Sequence, residues 1–168
     1  MPGTSTIGLL TNSRDPKGAP QTPELEAAGQ AVGLAILAAD ANRPEDIENA
    51  LHELANKHVD VIIVLQTGML VVNAPQIAAS ALAMRLPTVY GYREQVIAGG
   101  LISYGVDLRW CYHRSAYFVD KILHGTPPGD LPIEFPTQFP LTVNTRTAKE
   151  LGLTIPPTLL ARADEVIE

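Results

Sequence analysis

Short apolar runs alternate with helical patterns through the first 125 residues, and this alternation limits the possible folds more than any other feature. The run VDVIIVLQT at 59–67 is almost continuously apolar, as expected for a strand that helices cover on both sides. In PEDIENALHELANKH, Ile47, Leu51 and Leu54 share one helical face. Further strands are predicted at 5–12, at 34–40, within LPTVYGY and within LISYG. The pattern predicts an α/β fold, a Rossmann- or flavodoxin-like parallel sheet with helices on both faces.

The chain changes character after Gly125, the residue expected to end a long helix. The following segment, GTPPGDLPIEFPTQFP, is rich in proline, which excludes a regular helix or a central strand. LTVN at 141–144 suits an edge strand, and a short helix is expected on each side of the Pro-Pro pair. We therefore predict a lobe over 1–125, which includes a hinge strand and helix. A proline-rich crossover and a C-terminal helical segment follow over 126–168, packed on the same lobe.

Composition excludes several functional classes. With 46% hydrophobic and 18% charged residues, the 168-residue chain has the balance of a globular domain. A net charge of −6 without a basic cluster argues against binding to nucleic acid. No apolar run is long enough to cross a bilayer, and the N-terminus lacks the basic region of a signal peptide. The single cysteine excludes an internal disulfide, and no motif indicates a metal or a cofactor.

Polar residues end the predicted strands, which is where ligands bind in open parallel sheets. In the common strand order 2-1-3-4-5, the strand order reverses between the first and third strands. Uncharged hydrogen-bonding residues follow both of these strands. The candidate ligand-binding residues are Asn12, Ser13, Gln66, Thr67, Gly68, Tyr92, Glu94, Tyr104 and Asp107.

Each candidate also has a purely structural interpretation. Asn12 and Ser13 form turns readily, and Arg93 and Glu94 suit a surface ion pair. Asp107 precedes a predicted helix at Leu108 and suits an N-cap. A flavodoxin-like enzyme, of lyase or racemase type, with Asp40 or Asp107 as the base remains an alternative, and so does a ligand-sensing regulatory module.

The helix LRWCYHRSAYFVDKILHG has two faces that both require cover. Leu108, Cys111, Val119 and Ile122 belong to one apolar stripe, and Trp110 and Tyr117 lie on the opposite side. An exposed apolar patch of this size is unusual on a monomer. We therefore expect a partner lobe or a homo-oligomer formed through the Trp110/Tyr117 helix face.

Three segments carry a family resemblance. MPGTSTIGLLTN, GYREQVIAGGLISYGVD and above all LGLTIPPTLLARADEVIE resemble the second half of ABC-transporter solute-binding proteins of the tryptophan/tyrosine type. The resemblance covers the whole chain. It implies one lobe of a type I periplasmic binding protein, without the first lobe that closes over the solute.

The resemblance also implies a function. Such proteins are not enzymes; they bind a small amino-acid-like or carboxylate solute in the periplasm and deliver it to ABC permease subunits in the membrane for import. Matched by position, the loops at Asn12 and Gln66 and the side chain of Glu94 fall at ligand positions, and Asp107 falls at an acidic hinge position. Because one lobe is missing, we expect weak solute binding or none by a single chain.

Overall fold

The structure is a computed structural model that describes residues 3–168. Its strands are β1 (Thr6–Thr11), β2 (Ala35–Asp40), β3 (Val61–Val64), β4 (Thr88–Tyr90), β5 (Ile102–Tyr104), β6 (Leu141–Asn144) and β7 (Glu165–Ile167). Its helices are α1 (Gly18–Ala31), α2 (Ile47–Asn56), α3 (Gly68–Val72), α4 (Ala74–Ala83), α5 (Arg93–Ile97), α6 (Leu108–Leu123), α7 (Thr145–Glu150) and α8 (Pro157–Leu160).

The seven strands form one sheet in the order β2-β1-β3-β4-β5-β6-β7. The pairs from β2 to β5 are parallel, β6 runs antiparallel to β5, and β7 runs parallel to β6. The α/β class and the 2-1-3-4-5 order of the first five strands are therefore confirmed. The strand order reverses between β1 and β3, as predicted.

The main hydrophobic core lies between the sheet and helices α2, α3 and α4. Apolar residues at i, i+4 and i+7 of α2, Ile47, Leu51 and Leu54, are fully buried, and so are Leu10 and Ile62 of the sheet. Each such side chain contributes about 1.5–3 kcal/mol relative to an exposed one. This core fixes the positions of the strand ends that carry the candidate site.

The opposite face of the sheet is covered only in part. The connection from β1 to β2 crosses the sheet in the opposite direction to the connections that follow β2 and β3. Because crossovers between parallel strands are right-handed, α1 therefore lies on this face of the sheet. On β3, β4 and β5, the paired residues Ile63, Val89 and Ile102 form a half-buried row. Helices lie on both faces as predicted, but β3 is fully covered on one face only.

Two element boundaries differ from prediction. The sequence TPELEAAGQAVG predicts a helix with Thr22 as its N-cap and Pro23 at its first position, but α1 begins a turn earlier, at Gly18, and continues through Pro23. The Gly18 N–H donates to the Asp15 carbonyl at 2.8 Å, so the turn after β1 runs directly into the helix. Strand β6 is not an edge strand, because the unpredicted β7 pairs with it. A strand of three residues is too short for its side-chain alternation to be recognised in the sequence, and it becomes evident only through its pairing with β6.

Helix α6 projects from the lobe. It has no fully buried residue and makes no extensive contact with any strand. Gly125, at a φ of +93°, ends it as predicted. Arg114 pairs with Glu134 and stacks 4.0 Å from the Tyr117 ring centroid, which places the proline-rich segment against the Trp110 side. The side of α6 that carries Tyr112, Val119 and Leu123 is the more open one, and these residues are 75%, 54% and 80% exposed.

Candidate functional site

The loop after β1 is held by the end of β2. The Ser13 N–H and hydroxyl donate to the Asp40 carboxylate at 2.7 and 2.6 Å. The Asn42 amide donates to the same carboxylate at 2.5 Å. Ser13, a predicted ligand-binding residue, thus forms its hydrogen bonds within the protein. So does Asp40, which was considered as a catalytic base in the alternative interpretation.

Asp15 joins the loops after β1 and β3. Its carboxylate accepts from the Lys17 N–H at 2.9 Å and from the Gly68 N–H at 3.1 Å. These backbone hydrogen bonds lower the pKa of Asp15. The N–H of Gly68, a predicted ligand-binding residue, therefore already donates to a carboxylate.

Asn12 and Thr67 are buried beneath these loops. The Asn12 amide oxygen accepts from the Arg14 N–H at 3.1 Å, as in an ordinary turn. Thr67 is completely buried, and its hydroxyl lacks a hydrogen-bond partner. A side chain on Gly18 would lie 2.6 Å from the Asn12 carbonyl and 3.2 Å from the Thr67 methyl group. Close packing of the two loops therefore requires a glycine here.

A first concavity of about 310 Å³ opens at the ends of β3, β4 and β5, on the α1 side. Gln21, Glu24 and Leu25 of α1 form one wall, and Ile63, Val89 and Tyr104 are among the sheet residues that line the rest. The Gln66 N–H donates to the Gln21 side chain at 3.3 Å. The wall is thus apolar along the strands and polar at its outer end.

Gln66 and Tyr104 form the outer end of the first concavity. The Gln66 side chain lies over Gly91, where a Cβ atom would come within 1.5 Å of the Gln66 amide nitrogen. The Tyr104 ring is 64% exposed. This concavity combines an amide, an acid and an aromatic ring, groups that can bind a polar molecule with an apolar body.

A second concavity, of about 270 Å³, lies between α5, the start of α6 and β7. Arg93 forms a two-bonded ion pair with Glu165, one bond measuring 2.5 Å. This pair lowers the pKa of Glu165 and raises that of Arg93. Arg93 therefore pairs with Glu165 of β7 and not with its neighbour Glu94. The remaining walls include Asp107, Arg109, Thr142 and Asp164.

Asp107 caps α6. Its Oδ1 atom accepts from the Arg109 N–H at 2.8 Å and from the Trp110 N–H at 3.2 Å. The capping interpretation is confirmed. Tyr92 is half-buried at the start of α5, and its burial raises its pKa. It lines neither concavity.

The structure does not bring the predicted residues together in a single site. Gln66 and Tyr104 share the first concavity, Glu94 and Asp107 share the second, and the others line neither. Sequence reasoning did not select Gln21, Glu24 and Gly91 of the first concavity, or Arg109, Thr142, Asp164 and Glu165 of the second. Only Gly91, a glycine at a strand end, carried a signal of close approach.

The described residues contain neither a metal site nor a membrane helix. Across residues 3–168, no group of three or more His, Cys, Asp or Glu side chains could hold a metal ion. No helix in this range combines the length and the apolar character that a bilayer crossing requires.

Solved structures of other proteins share this fold. The chain superimposes on a conserved domain protein from Vibrio cholerae O1 biovar El Tor with a TM-score of 0.91 and 26% identity. It superimposes on an ABC domain in complex with L-Trp from Streptococcus pneumoniae with a TM-score of 0.88 and 25% identity. Each match covers 99% of this chain, but only 56% and 58% of the respective structures.

The sequence comparisons agree with these structures. A Tyrosine-binding protein from Clostridioides difficile (strain R20291) is 20% identical over 152 residues, which is 90% of this chain and 44% of that protein. The chain thus spans about half the length of the relatives it matches. The family model described as "ABC transporter substrate binding protein" matches residues 1–167. The chain belongs to the ABC transporter substrate-binding protein family.

Proposed function

We propose that this chain is the solute-binding lobe of an ABC importer, and that its solute is an amino acid with an aromatic side chain. The observation that carries the proposal is the match over 99% of the chain to a structure that holds L-Trp. The tyrosine-binding relative supports the same solute class. The resemblance identified in the sequence agrees with both.

The first concavity is the proposed solute site. Glu24 is an exposed carboxylate that can pair with the solute ammonium group. The Gln66 amide can donate to the solute carboxylate. Leu25 and the Tyr104 ring offer apolar area for the aromatic body, and rings prefer offset or edge contacts. The volume of this concavity is at the lower limit of typical ligand sites.

Single chains should bind the solute weakly. The strand-end groups suited to a carboxylate are already bonded, since Gly68 donates to Asp15 and Ser13 donates to Asp40. The concavity is open to solvent, so little of the solute surface would be buried. We expect a dissociation constant no lower than about 1 mM for the chain alone.

Delivery to ABC permease subunits, import and an extracytoplasmic location belong to the same proposal. Membership of the family supports them. A non-enzymatic role is also part of the proposal. The two carboxylates considered as catalytic bases hold local structure, since Asp40 binds Ser13 and Asp107 caps α6.

Saturation-transfer NMR on the chain with millimolar L-tryptophan tests the proposal, because this method detects weak ligands. We expect signal transfer to the indole protons, reduced severalfold in Y104L and Q66A. The matched control is Y117L, a tyrosine on α6 outside the concavity. Equal signals in all variants, or equal transfer to glucose, would contradict the proposed site and solute class.

A further inference from the structure

The first concavity is lined by groups of very unequal charge. Of the described residues that line it, Glu24 is the only one that carries a charge, and the rest are apolar, amide or aromatic residues and a glycine. No Lys, Arg or His is among them. An amino acid that enters therefore meets a group of opposite charge for its ammonium, and none for its carboxylate.

The charge of Glu24 is not used within the protein. Glu24 is exposed on α1, and its carboxylate takes part in none of the salt bridges formed within residues 3–168. Lys17, at the N-cap of α1, does not line the concavity, and its charge acts on the Asp15 carboxylate. Glu24 is therefore free to pair with a cation that enters the concavity.

The uncharged polar groups offer little to a carboxylate. The Gln21 side-chain oxygen accepts from the Gln66 N–H at 3.3 Å, and its amide nitrogen donates to the Lys17 carbonyl at 2.5 Å. Both ends of the Gln21 amide are thus used within the protein. The Gln66 amide remains, but one neutral donor only replaces a hydrogen bond that a carboxylate already makes to water. Repulsion by Glu24 opposes even this contact.

The apolar wall accepts an aromatic body whether or not a carboxylate is attached. Leu25, Ile63 and Val89 supply this wall, and the Tyr104 ring lies at its outer end. The face of an aromatic ring attracts an ammonium group, because its electrons give it a partial negative charge. The ring therefore adds to the preference that Glu24 creates.

The charge of the whole chain acts in the same direction. A net charge of −6 favours cations over anions near the protein surface. This general attraction extends over the whole molecule, whereas pairing with Glu24 acts only within the concavity. The two contributions can therefore be separated by moving the site of a charge change along α1.

We infer that the first concavity recognises the ammonium group and the aromatic body of its solute, and not the carboxylate. Aromatic amines without a carboxylate, such as tryptamine, therefore bind this chain at least as tightly as the corresponding amino acids. The inference rests on the proposed solute site. It narrows the ligands of that site to aromatic compounds that carry an ammonium group.

Amide chemical-shift titrations of the ¹⁵N-labelled chain with three indole compounds test the inference. L-Tryptophan carries both charged groups, tryptamine lacks the carboxylate, and indole-3-propionate lacks the ammonium. We expect tryptamine to have a dissociation constant equal to or lower than that of L-tryptophan. That of indole-3-propionate should be about two- to fivefold higher than that of tryptamine, the range of an exposed ion pair.

The possible failures of the inference and of the solute site differ. Binding of L-tryptophan with clearly weaker binding of tryptamine would overturn the inference and leave the solute site intact. Equal affinities for tryptamine and indole-3-propionate would have the same consequence. No shift at Gln66 and Gly91 with any of the three compounds would overturn both.

The E24Q variant assigns the preference to one side chain. It should raise the dissociation constant of tryptamine about two- to fivefold and should not weaken binding of indole-3-propionate. The matched control is E26Q, because Glu26 is also exposed on α1 but does not line the concavity. Each variant removes one negative charge, so both have the same net charge. Unchanged tryptamine binding in E24Q, or equal weakening in E24Q and E26Q, would overturn the inference.

Discussion

Polar residues at the strand ends of this protein form hydrogen bonds mainly with other residues of the chain. Ser13 donates to Asp40, the Gly68 N–H donates to Asp15, and Asp107 accepts from the first turn of α6. The sequence predicted that these residues would lie at one edge of the sheet. It did not show which of them would already have a partner, because partners such as Asp15 are contributed by other loops.

Asp107 offers the simplest test at the scale of one residue. The D107A variant loses the acceptor for two helix N–H groups, so the free energy of unfolding should fall by about 1 kcal/mol. Urea unfolding followed by fluorescence measures this loss, since the only tryptophan, Trp110, lies in the first turn of α6. The D107N variant keeps an acceptor and should retain most of the stability. An equal loss in both variants would refute the capping role.

The Arg93–Glu165 pair should make stability depend on pH. In the folded protein, the ion pair lowers the pKa of Glu165 below its ordinary value of 4.5. A carboxylate with a lowered folded-state pKa stabilises the fold above its unfolded-state pKa, and this stabilisation is lost as the pH falls through the folded-state pKa. The native chain should therefore lose more stability than E165Q as the pH is lowered below 4.5.

The size of this effect is limited by solvent. Both side chains are about one-third exposed, so the difference should be less than about 1 kcal/mol. Urea unfolding at a series of acidic pH values measures it. R93Q should give the same flattened pH dependence as E165Q. A native pH profile in either variant would show that the pair does not contribute.

At the scale of elements, the residues that follow β4 and β5 are packed closely against each other. A methyl group on Gly105 would lie 2.2 Å from the Gly91 carbonyl, and backbone atoms cannot move aside cheaply. G105A should therefore lower the free energy of unfolding by about 1–3 kcal/mol. G68A is the matched control, because no atom lies within 4 Å of its added methyl group. Equal urea midpoints for the two variants would contradict this packing.

The sequence predicted elements well where the signal was local. The helical spacing in α2, the cap at Asp107 and the glycine that ends α6 each involve residues a few positions apart, and all three are confirmed. Strand β7 and the interior position of β6 depend on pairing between distant segments. The early start of α1 depends on the turn that Asp15 forms. Local patterns do not contain this information.

At the scale of the whole molecule, the sheet order and the line of strand ends could be predicted, because right-handed crossovers allow few alternatives. The uneven cover of the sheet could not. The apolar residues of β3 resemble those of a strand buried on both faces, yet Ile63 is only half-buried. This face of β3 lines the first concavity, and no pattern within a single strand reveals that.

The central claim is that the strand ends of β3, β4 and β5 bind an aromatic amino acid. Amide chemical-shift mapping with ¹⁵N-labelled chain and increasing L-tryptophan tests it most directly. The account predicts shifts concentrated at Gln66, Gly91 and Tyr104, which approach saturation only at millimolar solute. Shifts concentrated at Arg109 and Glu165, or no shifts at all, would contradict it.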